Sequence, residues 1–202
     1  MKSAVPVTQN LSATLPALAL SFAADPFYRA ITAGFQEPGE KQRVLERYFA
    51  YSLEEARRTG HCVVAGNPSL GAAAWLLPRA ADVEATESDA KHVFLQRLLG
   101  RIGYGNYKRI LEYMSVRAKR CVDDGAWYLS IVGVHPAAQG TGLGRQLLAP
   151  TLRLATEQGM PCYLETFSPR SVAFYSRLGF ASVAEFREPT TDASYFVMCR
   201  AA

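Results

Sequence analysis

Apolar positions along this chain change their spacing several times, and each change marks an element. From about Glu40 to Arg58, Val44, Tyr48, Tyr51 and Ala56 fall on one side of a helix. An earlier helix is predicted over Leu15 to Ala23, with Thr14 as its cap and Pro16 in its first turn. The Pro- and Gly-containing stretch from Ala24 to Gly39 reads as the loop between them. His61 to Ala65 and Gly71 to Leu77 read as two strands of a hairpin around Gly66-Asn67-Pro68. From Arg79 to Gly125 the pattern is that of a long, mostly helical insertion. Phe94, Leu95, Leu98, Leu99 and Ile102 form its first apolar face, Gly103-Tyr104-Gly105 a break, and Tyr107 to Arg120 a second helical run.

The remainder alternates strand and helix: Trp127 to Val134, Gly142 to Gln158, Pro161 to Phe167, Ser171 to Leu178, then strands near Phe180 to Arg187 and Ser194 to Arg200. Such an order predicts an α/β (α+β) architecture. Its central sheet is mixed and mostly antiparallel, with one parallel pair and a C-terminal hairpin, flanked by helices. Pro150 interrupts the longer helix and is expected to bend it or remove one backbone bond. No internal repeat is visible, so residues 1–202 read as one domain with an insertion at about 79–125.

Composition narrows the function classes. The chain has 202 residues with 49% hydrophobic content, enough for a full core. The net charge of +4, from 22 basic and 18 acidic residues without a basic tract, gives no reason to expect nucleic acid as a partner. Cys62, Cys121, Cys162 and Cys199 are far apart and form no ligand-spaced cluster with His61, His92 or His135, so neither metal nor a disulfide framework is expected. The apolar stretch Leu15 to Ala24 is too short and too interrupted for an export signal, and no run reaches spanning length. A cytoplasmic protein with no membrane partner is the expectation.

The strand Tyr128 to Val134 runs through His135-Pro136 into Gln139-Gly140-Thr141-Gly142-Leu143-Gly144-Arg145 and then a helix. Glycines allow close approach of an anion, and the N–H groups of loop and helix start point toward it. The spacing fits neither the dinucleotide fingerprint nor the P-loop. Gln139-x-x-Gly142-x-Gly144 resembles the signature of the GNAT superfamily of N-acetyltransferases, and Phe174-Tyr175-x-x-x-Gly179-Phe180 resembles a second element of that family, in the right order. Leu164-Glu165-Thr166-x-x-Pro169-Arg170 is similar to the puromycin N-acetyltransferase-like branch. The likeness spans roughly Trp127 to Phe180, with a weaker match around Asp25-Pro26-Phe27-Tyr28.

The resemblance implies acetyl-CoA as donor. Its pyrophosphate is expected on the main chain from Gln139 through Gly140, Thr141, Gly142, Leu143 and Gly144 to Arg145. Its pantetheine arm is expected alongside Ile131, Val132 and Val134, as an added strand. Ser171 stands where relatives often carry Asn, which shortens a polar contact to the coenzyme. The resemblance also sets the Tyr175 hydroxyl at the coenzyme sulfur. A phenol with a reference pKa near 10 can donate to a departing thiolate without being ionised itself. Strand alternation puts Glu165 on one face with Tyr163 and Phe167, where it can act as base, orient the acceptor, or pair with Arg170. Tyr28, Trp75 and Tyr113 are candidate linings of an acceptor pocket, and packing roles are equally open to them. Lys108, Arg109, Arg117, Lys119 and Arg120 read mainly as a solvated helix face.

The function expected is acetyl transfer to the primary amine of a small molecule. A protein lysine or N-terminus is the rival acceptor, and a non-catalytic acyl-CoA-binding module the rival class. A closed aromatic cleft roofed by residues 79–125 favours the small molecule; an extended groove favours a peptide.

Overall fold

Every other residue from Trp127 to Val134 is buried, and this segment forms β3 near the centre of a six-stranded sheet. The computed structural model describes residues 11–202. Spatially the strands run β1 (Gly60–Val64), β2 (Gly71–Leu76), β3 (Trp127–Val134), β4 (Cys162–Thr166), β6 (Ala193–Arg200), β5 (Ala181–Glu188). All neighbours are antiparallel except β3 and β4. The predicted mixed sheet with one parallel pair is therefore the one that forms. The C-terminal hairpin docks through β6, its second strand, against β4.

Helices cover both faces. Leu18, Ile31, Phe49, Leu53 and Leu99, from α1 (Leu15–Ser21), α2 (Pro26–Ile31), α3 (Pro38–Thr59) and α4 (Ala81–Ala118), pack with Ala72, Ala74 and Ile131 on one face. On the other, Leu147, Leu148 and Leu152 of α5 (Leu143–Glu157) pack with Ala73, Trp75, Leu129 and Leu164, joined by Tyr175 of α6 (Pro169–Ser176). Pro150 leaves the Gln146 carbonyl without its helical donor, at about 3 kcal/mol. Leu147, Leu148 and Leu152 are all buried and contribute about 1.5–3 kcal/mol each, so α5 continues through the proline.

Three local expectations give way. Thr14 makes no side-chain cap; its hydroxyl is buried without a hydrogen-bond partner. The expected loop from Ala24 to Gly39 contains α2, started by Asp25, whose Oδ1 accepts from the N–H groups of Phe27 (2.9 Å) and Tyr28 (3.4 Å), followed by Pro26 at the first helical position. The break in the insertion lies at Gly100, with φ 64°, and not at Gly103. Gly103 is helical and serves close approach: a Cβ there would lie 2.1 Å from the Ile31 carbonyl oxygen. Gly103→Ala is therefore expected to push α2 and α4 apart and lower stability by about 1–3 kcal/mol. A denaturant midpoint equal to wild type would show that the two helices tolerate the extra methyl.

Candidate active site

Strands β3 and β4 stay paired only from Trp127–Cys162 to Leu129–Leu164. Opposite β2, Ala74 faces Ile131 and Trp75 faces Leu129, so Ser130 is an extra residue in β3, a β-bulge. A bulge bends and twists its strand. Leu129 thus packs toward α5 whereas Ile131 packs toward α1 and α3. Beyond the bulge the β4-facing edge of β3 has no strand partner, and two clefts open there.

The larger cleft, about 940 Å³, is bordered by Gln139, Gly140, Gly142, Gly144 and Arg145 from the glycine loop and by Ser171 and Phe174 from α6. Gly140 and Gly142 have φ of 80° and 87°, a conformation that glycine adopts without strain, and a Cβ at either would point into open space. Gly142 is the N-cap of α5, so the freed N–H groups of the helix start face this cleft. The Thr141 hydroxyl donates to the Ala138 carbonyl (2.8 Å) and the Gln139 amide to the Val134 carbonyl (3.2 Å), which hold the loop in shape. Gly144 lets the loop lie against Phe174, whose ring would sit 3.2 Å from a Cβ there.

Not every residue expected at the donor side reaches this cleft. Val132 and Val134 border it, while Ile131 is buried under α1, Leu143 packs into the core, and Thr141 turns its hydroxyl into the loop. The Ser171 hydroxyl donates to that of Ser168, which itself accepts from the Ser171 N–H as the cap of α6. Arg170 and Arg177 stand beside Arg145 at this cleft, against one acidic residue, Asp25, among the described residues. The cleft is therefore cationic as well as rich in N–H groups. Neither Arg117 nor Lys119 of the insertion borders it: Arg117 lies 3.2 Å over the Tyr113 ring, and Lys119 borders the second cleft.

That second cleft, about 480 Å³, runs between the sheet and α4, which supplies Lys91, Tyr107, Met114 and Ser115 to its wall. Tyrosines dominate its interior: Tyr28, Tyr48, Tyr128, Tyr163 and Tyr175 all border it. Tyr128 stacks on Tyr163 at 4.7 Å, and its hydroxyl donates to Glu165 Oε2 at 3.4 Å. Glu165 Oε1 is buried and accepts no hydrogen bond. Burial raises the Glu165 carboxyl to about 7, with the Tyr128 hydroxyl as a smaller opposing effect. Arg170 faces the other cleft, so the alternative ion pair with Glu165 does not form.

The clefts meet. Phe22, Asp25, Val132, Thr166, Phe167 and Tyr175 border both. Burial pushes the Tyr175 phenol well above its usual range, and the Asp25 charge adds to that shift. Asp25 itself is raised to about 6 by burial, against the two N–H groups it caps.

Of the three aromatics expected to line an acceptor pocket, only Tyr28 does. Trp75 is fully buried on β2 beneath α5, because β2 alternates: Ala73 and Trp75 pack on the α5 side while Ala72 and Ala74 pack on the other. Tyr113 donates to the Arg187 carbonyl at 2.7 Å and packs on Tyr195, which ties α4 to β5. Sequence reasoning passed over Asp25, Tyr128 and Tyr163 as site residues. An Asp directly before Pro is a readable helix-start signature, but the Tyr128–Tyr163 stack follows from the β3–β4 register and leaves no trace in either strand alone. The His135 Nδ1 accepts from the Ala137 N–H at 3.2 Å. Among the described residues no group of three or more His, Cys, Asp or Glu is placed to hold a metal. No helix there is long and apolar enough to cross a membrane.

An uncharacterised N-acetyltransferase of Schizosaccharomyces pombe is 38% identical over 58 residues, and the mycothiol acetyltransferase of Streptomyces avermitilis 39% identical over 62 residues; each match covers 29% of this chain. The matches span only 24% and 20% of those relatives' lengths. A Corynebacterium glutamicum crystal structure described as histone acetyltransferase HPA2 and related acetyltransferase superposes with TM-score 0.66 at 24% identity, covering 98% of this chain and 95% of that one. The Drosophila melanogaster polyamine N-acetyltransferase superposes with TM-score 0.62 at 15% identity, covering 95% of each chain. These structures share the fold. The Acetyltransferase (GNAT) family profile matches residues 28–180, which include both clefts' central residues from Tyr28 to Tyr175, and the chain belongs to that family.

Proposed function

We propose that this protein transfers the acetyl group of acetyl-CoA directly to the primary amine of a small molecule. The observation that carries this reading is the meeting of two clefts of opposite character at Tyr175, along the unpaired edge of β3. A donor bearing phosphates suits the cleft with loop N–H groups, a helix start and Arg145, Arg170 and Arg177. An extended chain of amides suits the open edge of β3. The thioester then reaches the junction, and the acceptor enters from the tyrosine-lined side. The wall formed by α4 makes that side a bounded cleft, within the size range of small-molecule sites. This supports a small acceptor over a peptide.

Transfer requires the acceptor ammonium to lose a proton before its lone pair attacks the thioester carbonyl carbon. Glu165, raised to about 7, is ionised often enough at neutral pH to take that proton and basic enough to hold it. As the tetrahedral intermediate collapses, the C–S bond breaks and charge gathers on sulfur. Tyr175 remains protonated, so its hydroxyl is available to that sulfur. Because its pKa lies far above that of a thiol, its main contribution is a hydrogen bond that strengthens as negative charge develops. The products are the amide, coenzyme A and one proton.

Release of thiol from acetyl-CoA across a panel of amines tests the reading, and absence of amide product with every amine would reject it. Gly142→Val tests the donor side. Valine at a positive φ strains the start of α5, and its branches intrude where the loop N–H groups meet the phosphates. Acetyl-CoA affinity is expected to fall at least tenfold while the fold is kept, checked by calorimetry and circular dichroism. Unchanged affinity in the folded variant would remove the loop from the donor site.

A further inference from the structure

The charges around the acceptor cleft are strongly biased. Four carboxylates border it: Asp25 and Glu165 inside, Asp123 and Asp124 in the exposed turn that follows α4. Two ammonium groups, Lys91 and Lys119, also border it. Lys91 is already neutralised, with its Nζ 2.6 Å from Glu55 Oε2, and the Glu55 side chain is only 5% exposed. Among the described residues that border the cleft, Lys119 is left to offset four acidic groups. The inner carboxylates and the outer pair lie on different elements, β4 and the start of α2 against the Asp123-Asp124 turn, so the bias spans the cleft.

A second observation points the same way. Glu165 borders the cleft, and its Oε1 is buried with no hydrogen-bond donor. An orphaned acceptor of this kind is costly to keep unless a ligand satisfies it. Tyr28, Tyr48 and Tyr128 border the same space, aromatic surface attracts a cation, and burial keeps these phenols neutral.

We infer that the acceptor is a dication, a diamine-class molecule whose reacting nitrogen lies by Glu165 while its second ammonium rests between Asp123 and Asp124 at the cleft mouth. This rests on the function proposed above and specifies its substrate. The inner nitrogen satisfies Glu165 and gives up its proton there; the outer one stays charged and fixes which end enters. An acceptor carrying a carboxylate at the far end meets repulsion instead.

Pentylamine, 1,5-diaminopentane and 5-aminopentanoate have the same chain length and differ at one end, with shorter and longer diamines to find the best fit. Both calorimetric binding to the coenzyme A complex and kcat/KM for acetylation are read. Exposed ion pairs are individually weak, so the two aspartates together are expected to favour the diamine over the monoamine by about tenfold, and to disfavour the amino acid, with the preference shrinking as salt rises. In Asp123→Asn/Asp124→Asn the diamine-to-monoamine ratio is expected to drop toward one, chiefly through KM. Asp123→Lys/Asp124→Lys is expected to invert the order toward 5-aminopentanoate. Equal binding of all three acceptors by wild type, or a ratio unmoved in both variants, overturns the inference. Acetylation of the monoamine as readily as the diamine does so too and leaves the proposed function standing. Preferred binding of the diamine with no amide product from any amine rejects the proposed function instead.

Discussion

Replacing Glu165 with Gln is expected to lower acetyl transfer at neutral pH by about a hundredfold or more, while acetyl-CoA still binds. The change keeps the shape of the side chain and the hydrogen bond from Tyr128, and removes the proton acceptor. Loss of one positioned base typically costs about 10²–10⁴ in rate. In the native protein kcat/KM for the acceptor is expected to rise with pH through about 7, as the carboxyl ionises, and that arm is expected to vanish in Glu165→Gln. Wild-type activity with an unchanged pH profile in the variant would leave Glu165 as a structural residue.

Stability supplies an independent readout. Below its ordinary value of 4.5 the Glu165 carboxyl is protonated in folded and unfolded chains alike. Between there and about 7 the unfolded chain releases the proton while the folded one keeps it, so the folded state binds more protons and stability falls as pH rises. Above about 7 the penalty is complete, at about 3 kcal/mol from the size of the shift. Glu165→Gln is therefore expected to be more stable than wild type at pH 8 and to lose most of that advantage at pH 5. Denaturant midpoints measured at both values check it. An advantage that does not change with pH would mean that the carboxylate is not the strained group.

Tyr175→Phe carries the other large effect. The ring packs against Phe174 and Phe180, at centroid distances of 5.1 and 6.0 Å, and the variant retains it. Only the hydroxyl is lost. Removing one hydrogen-bond donor from developing charge costs about 10²–10³ in kcat, and donor affinity is expected to stay within about twofold. Measurement under conditions where chemistry limits turnover separates this from slow product release. Wild-type turnover there would leave water as the group that stabilises the departing sulfur.

The parts of this protein legible in its residues are those that local chemistry decides. The glycine loop is legible because positive φ at Gly140 and Gly142, with a helix start behind them, is a property of that segment wherever it is placed. Trp127–Val134 follows from its β-branched and aromatic run, and Leu143–Glu157 from apolar spacing that Pro150 interrupts without ending the helix. Alternation likewise set Glu165 beside Tyr163, since neighbours two apart in a strand share a face whatever lies opposite.

What remained hidden depends on register and on distance between segments. The extra residue at Ser130 is defined only by what β2 places opposite it, and it parts Leu129, packed on the α5 side, from Ile131, packed on the α1 side. Gly103, read as a break, is the point where α4 presses against α2, and Gly100 breaks the helix instead. The elevation of Glu165 to about 7 needs the surrounding rings in place, because desolvation is a property of the packed neighbourhood. Asp25 shows the division within one residue. Its place directly before Pro26 carries a helix-start signature that the loop expected over Ala24 to Gly39 left unused, whereas only the packing of α2 on α4 brings that carboxylate to the junction of the two clefts.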